Sequence, residues 1–183
     1  IYLIRPWFLV RFGCLISNRL GHFAENTEMY LCEKDFGMHT PSIPHLDLLC
    51  FERVCNSQLG KMWKRKLNIL PSWFLLPIIQ LNRFISKFFP KCNLHQSINT
   101  WDWHGLPKDW HGLFEKINTH LKFTKEEIIY GKECLKKFGL LNSEKFVCLD
   151  VRDEAFLNYY FPEKDWQHHS IRNVELENFI PAV

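Results

Sequence analysis

Apolar and polar positions alternate along this chain in short blocks whose period switches between strand and helix. Phe8-Leu9-Val10-Arg11-Phe12 is a β-branched and aromatic run that reads as a buried strand stopping at Gly13. The polar turn Ser17-Asn18-Arg19-Leu20-Gly21-His22 follows it. From Phe23 to Glu33 the spacing of Phe23, Thr27, Tyr30 and Leu31 predicts a helix. Strand, glycine turn and helix can build an anion site, because unpaired N–H groups at the helix start face the turn. The same pattern also describes an ordinary βα corner of a parallel sheet.

Further along, residues 35–45 form a turn region with Gly37, Pro41 and Pro44. Leu46–Phe51 is a near-continuous apolar run, as expected of a strand covered on both faces. Asn56 is placed to cap a helix from Ser57 to about Lys66, with Lys61, Lys64, Arg65 and Lys66 around Met62 and Trp63. Asn68–Leu70 fits a third, short strand. The apolar stretch after Pro71 predicts a helix capped by Ser72, in which Pro77 requires a first-turn or kinked position. Residues 61–79, basic and then apolar, either dock on an anionic bilayer surface through Trp73 and Phe74 or form a solvated face over a core helix.

The pentapeptide Asp-Trp-His-Gly-Leu occurs at 102–106 and again at 109–113. Two copies are too few for a solenoid, and a loop duplication explains them. Asp102, His104, Asp109 and His111 read either as part of that duplication or as metal ligands or an acid/base pair. Trp101, Trp103 and Trp110 suit sugar rings as well as core packing. Thr124-Lys125-Glu126-Glu127 is a capping box, predicting a helix that stops at Gly139. Phe146–Val151 reads as a further strand, with Arg152 and Asp153 at its carboxyl end, where α/β sheets collect ligands. That arginine is either a bidentate phosphate clamp or half of a surface pair with Asp153. Residues 159–170 read as a polar and aromatic loop. Asn173 is placed to cap a last helix from Val174, with His168, His169 and Arg172 before it, a second place for an anion.

With 183 residues, 46% hydrophobic and 23% charged, the chain has the composition of a globular protein and the length of one full domain, or one plus part of a second. The expected division is 1–140 and 141–183. A net charge of +3 with one cluster of cations does not indicate a nucleic-acid partner. The odd count of seven cysteines, with no CxxC pair, predicts reduced thiols and a cytoplasmic location, and no metal site is expected.

Five blocks occur in an order that resembles a family of bacterial glycosyltransferases of surface-polysaccharide and lipopolysaccharide synthesis. They are IRPWFLVRFG with NRLGHFAENTEMYL, KMWKRKL with ILP, HGLFEK with THLKFT, EKFVCLDVRD, and HHSIRNVELENFIPA. The resemblance covers nearly the whole chain. It implies the GT-B arrangement of two facing Rossmann-like domains. Residues 1–140 would be the three-layer, acceptor-side N-terminal domain, and 141–183 the truncated start of the nucleotide-sugar domain. By resemblance, Arg19, Gly21 and His22 match the loop after the first strand, facing the cleft. Arg152 and Asp153 match the end of a His-x-Arg-Asp motif similar to that of fucosyltransferases, and His169, Arg172 and Asn173 match a His-x-x-Arg-Asn segment. The first position of the His-x-Arg-Asp motif is Asp150 here, which adds a negative charge beside the expected diphosphate.

The resemblance implies a nucleotide-diphosphate sugar as donor, a glycan or lipid-linked acceptor and no permanently bound cofactor; the expected location is the cytoplasm, either free or at the inner face of the cytoplasmic membrane through residues 61–79. Arg152 and Arg172 would stabilise the leaving diphosphate without metal, with His22 or Asp153 as the base at the acceptor hydroxyl. The competing expectation is a non-catalytic, truncated α/β module that binds a partner or a membrane surface.

Overall fold

A computed structural model describes residues 1–38, 40–96, 109, 111–140, 145–148, 154–160, 162–167, 173, 174 and 179. The chain divides into two compact units, 1–128 and 129–183.

In the first unit, β1 (Leu9–Leu15) and β2 (His45–Phe51) pair in parallel, with Arg11 opposite Asp47 and Cys14 opposite Cys50. Single parallel bridges extend this pair on both sides, Leu49 to Ile69 beyond β2 and Phe12 to Gln96 beyond β1. The spatial order is therefore Gln96, β1, β2, Ile69. The chain steps outward from β1 to β2 to Ile69, then crosses back to the far side of β1. Helix α1 (Leu20–Asp35) and helix α2 (Ser57–Lys64) make the two outward crossings, and α3 (Ser72–Phe88) with the 3₁₀ helix Pro90–His95 makes the return.

The strand period of two sorts the core into two clusters. Leu15, Leu49 and Phe51 point to one face and bury Phe23, Tyr30 and Leu31 of α1 and Trp63 of α2. Val10, Phe12, Cys14 and Cys50 point to the other and bury Leu75 and Ile79 of α3. Helices thus cover both faces of the sheet. Trp63 has no solvent exposure, and its ring N–H donates to the Phe23 carbonyl at 3.0 Å. Burying that ring contributes about 2–3 kcal/mol, so the tryptophan within the basic stretch is a core residue.

Arg11 and Asp47 lie on the α1 face and are both buried. Arg11 donates to the carboxylate through Nε at 2.5 Å and Nη2 at 2.8 Å. Tyr30 of α1 donates a further hydrogen bond, and Lys34 reaches the same carboxylate at 3.2 Å. Burial opposes ionisation of Asp47. The hydrogen bonds from Arg11 and Tyr30 and the charges of Arg11 and Lys34 outweigh it and hold the pKa down at about 2.

Several local expectations hold. Asn56 caps α2, accepting from the Leu59 N–H at 2.9 Å. Thr124 and Glu127 form the reciprocal capping box of α5 (Lys125–Lys137), and Gly139 ends it in the left-handed region at φ +87°. All seven cysteines are free.

Others need correction. β1 continues through Gly13 to Leu15, because both faces of the strand are buried there and a small residue packs as well as a large one. Helix α1 starts at Leu20, three residues earlier than its apolar spacing indicates. Pro71, not Ser72, occupies the N-cap of α3, and Pro77 lies well inside that helix. Pro77 is exposed, so the Trp73 carbonyl that lacks its N–H partner lies on the solvent side.

In the second unit, Lys145–Cys148 is exposed and not strand, with Val147 at 92% exposure, which corrects the strand expected over 146–151 in its described part. Helix α6 (Ala155–Tyr160) occupies the start of the expected loop. Val174 is not helical, and the rest of the helix expected after it lies outside the described residues; the Asn173 side-chain amide donates to Glu154 Oε1 at 2.9 Å. Among the described residues, no helix is long and apolar enough to cross a membrane.

Candidate functional site at the carboxyl edge of β1

In a parallel sheet the strand order reverses where consecutive connections leave in opposite directions. At that reversal the loops separate and leave a crevice beyond the carboxyl ends of the strands. Here the reversal falls between β1 and Gln96, and the chain that follows Gln96 lies outside the described residues. The segment leaving β1 at that point is Ile16-Ser17-Asn18-Arg19, followed by the first turn of α1. The loop after β2 is tied to it, since the Cys55 N–H donates to the Ser17 carbonyl at 2.8 Å.

Arg19 is the N-cap residue of α1, with extended backbone at φ −132° and ψ 129°, and its side chain makes no capping hydrogen bond. Gly21 and His22 therefore lie in the first helical turn, not in the turn before it. No acidic residue occupies that turn, so the positive end of the helix dipole is not offset locally.

Among the described residues, Ser17 Oγ, Asn18 Oδ1, His22 Nδ1 and Asn26 Oδ1 of this segment are shielded from solvent without a hydrogen-bond partner, as are His45 Nε2 and His95 Nε2 elsewhere. Ser17 is wholly buried and Asn26 is 8% exposed. Asn18, His22 and Asn26 recur every fourth residue and so share one side of α1 and its entry. A buried polar atom left unpaired costs about 1–3 kcal/mol. Folded chains leave few such atoms, and these four fall within ten consecutive residues. The amide oxygens are acceptors, the imidazole nitrogen accepts in the neutral ring, and the hydroxyl both donates and accepts.

The structure thus brings Arg19, Gly21 and His22 together at this edge. Ser17 and Asn26 join them without having been singled out by pattern, because what marks them is burial without a partner. Arg152, Asp153, His169 and Arg172 lie outside the described residues, as do Asp102, His104, Trp101, Trp103 and Trp110. Asp109 is committed to the backbone, accepting from the Leu113 and Phe114 N–H groups at 2.6 and 2.9 Å at the start of the short helix α4 (Leu113–Lys116). Those bonds hold its carboxyl below the usual range, and His111 is exposed.

A second polar cluster joins α1 to the loop after α4. His120 places Nδ1 3.0 Å from Glu28 and Nε2 3.0 Å from Asp35, and its backbone N–H donates to Glu28 at 2.8 Å. Cys32 lies beside them, completing a Glu-Cys-His grouping with metal-ligand chemistry. Burial, followed by the nearby Glu28 and Asp35 charges, raises the Cys32 thiol to about 11. Both ring nitrogens already face carboxylates, so the cluster serves as a tie that holds the loop to the helix.

Comparisons with protein-family models, with curated proteins and with solved structures gave no match.

Proposed function

We propose that the chain is a glycosyltransferase, or part of one, that moves a sugar from a nucleotide-diphosphate donor to a glycan or lipid-linked acceptor. On this reading residues 1–140 are a Rossmann-like, acceptor-side domain of GT-B type, acting at the inner face of the cytoplasmic membrane. The observation that carries it is the set of unpartnered polar atoms on Ser17, Asn18, His22 and Asn26 at the strand-order reversal. Their acceptor-rich chemistry suits sugar hydroxyls. On this reading His22 takes the proton of the acceptor hydroxyl, with Arg19 beside it. Asp153 is the alternative base. Arg152 and Arg172, with His169 and Asn173, would hold the diphosphate, through charge stabilisation that needs no metal. Removal of Arg152 from the full chain should lower transfer about 10²–10³-fold, the scale of a lost oxyanion donor. Turnover undiminished by Arg152→Ala rejects that assignment.

One observation favours a second reading. Asp150 stands where the family motif has histidine, bringing a negative charge to the expected diphosphate position. A chain that has lost transfer would persist as a binding module. Calorimetric titration with UDP-, GDP- and dTDP-sugars separates the two, since heat of binding supports the enzyme and its absence supports the module.

A further inference from the structure

The modest net charge of the chain conceals a strong asymmetry. Residues 53–101 hold eight Lys and Arg and no Asp or Glu, so a segment of +8 is set against −5 in the remainder, for the total of +3. Residues 1–17 also lack acidic side chains. Helix α3 lies within the cationic segment and is apolar on two opposite sides. Leu75 and Ile79 face the sheet. Trp73, Leu81, Phe84 and Phe88 recur every three or four residues along the other side, from Trp73 through the exposed Pro77, and each is more than half exposed. A surface helix ordinarily turns polar residues outward, so this stripe departs from the rule. Its rings associate with one another, Trp73 with Phe74 at 5.9 Å and Phe84 with Phe88 at 5.3 Å between centroids.

The N-terminal segment adjoins the same helix. Tyr2 donates to Asn82 Oδ1 at 2.9 Å, and Arg5 donates to the Lys91 carbonyl at 2.9 Å. It adds the exposed Leu3 and Trp7. The surface formed by residues 1–8, α3 and the 3₁₀ helix is therefore apolar, aromatic and flanked by Arg5, Lys87 and Lys91 with no acidic residue on any of these elements. Aromatic rings between cations match the headgroup zone of an anionic bilayer in both polarity and charge.

We infer that the outer stripe of α3 is an interfacial docking surface for an anionic phospholipid bilayer, with Trp73, Phe84 and Phe88 seated among the headgroups and Lys87 and Lys91 on lipid phosphates. This retains Trp73 from the contact expected over 61–79 and extends that contact to residue 91, because the exposed apolar stripe continues to Phe88 while Met62 and Trp63 of α2 are core residues. The inference stands apart from sugar transfer, since the stripe is on the face of the sheet opposite α1.

The test is sedimentation of the full chain with vesicles of phosphatidylcholine alone and of equal parts phosphatidylcholine and phosphatidylglycerol, at low and high salt. The chain should pellet with the anionic vesicles, less so at high salt, and remain in solution with the neutral ones. Phe84→Ser with Phe88→Ser should lower partitioning more than about tenfold. Lys87→Gln and Lys91→Gln should each lower it about fivefold. Circular dichroism and thermal denaturation of each variant verify the fold, and loss of Trp73 quenching by brominated lipid in Trp73→Phe gives a second readout. Failure to pellet, or pelleting unaffected by the stripe and charge variants, overturns the inference. So does a dimer by sedimentation velocity that Phe84→Ser with Phe88→Ser dissociates, because a second copy would then cover the stripe.

Discussion

Arg11 and Asp47 occupy paired positions on adjacent parallel strands and form a two-point ion pair sealed beneath α1. A charge pair buried this deeply loses hydration on both sides, and its geometry must be good to offset that loss. Tyr30 and Lys34 complete the carboxylate's bonding, so the pair fixes both the register of β1 on β2 and the seating of α1. Removing one partner strands the other charge. Asp47→Asn should therefore destabilise the chain by about 3–5 kcal/mol in urea denaturation, and Arg11→Met combined with Asp47→Leu should recover much of the loss.

The same pair sets an acid limit. The carboxyl of Asp47 is lowered from 3.8 to about 2 in the folded chain. Its contribution is fully present above the unfolded value near 4 and is lost as pH falls toward about 2. The denaturation midpoint of the wild type should fall across that interval. The Asp47→Asn variant should show a flatter profile over the same range.

Two tryptophans near the basic stretch should respond in opposite ways. Trp63 is fully buried and Trp73 is 78% exposed. Trp63→Ala should cost about 3–5 kcal/mol by chemical denaturation. Trp73→Ala should stay within about 0.5 kcal/mol, because it removes no core contact.

Ser17 tests whether the edge of β1 is organised for something other than stability. Its hydroxyl is buried without a partner, so Ser17→Ala removes an unsatisfied group. Thermal denaturation should show an unchanged or raised midpoint, a result that packing or backbone support from the hydroxyl would not give.

Legibility in the sequence followed the range of the interaction. The Asn56 cap, the Thr124–Glu127 box and the Gly139 stop each depend on residues within a few positions, and each was read correctly. The ion pair of Arg11 with Asp47 depends on strand register, and the tie of His120 to Glu28 spans 92 positions, so neither leaves a local mark. The start of α1 was placed late because Arg19 carries no capping signal. Of the candidate site, the place of Arg19 after the first strand was legible, whereas Gly21 and His22, read as turn, are helical. Ser17 and Asn26 matter because they are buried without partners, which pattern does not reveal.

The most direct measurement of the central claim is sugar transfer by the full chain, from radiolabelled UDP-, GDP- and dTDP-sugars to lipopolysaccharide core oligosaccharide, compared between wild type, His22→Ala and His120→Ala. The account predicts transfer by the wild type and a loss of about 10²-fold or more in His22→Ala with an unchanged thermal midpoint. The tie residue His120 should alter stability but not turnover of the folded fraction. Equal turnover in wild type and His22→Ala would contradict the choice of His22 over Asp153 as the base, and the absence of transfer from every donor would contradict the account.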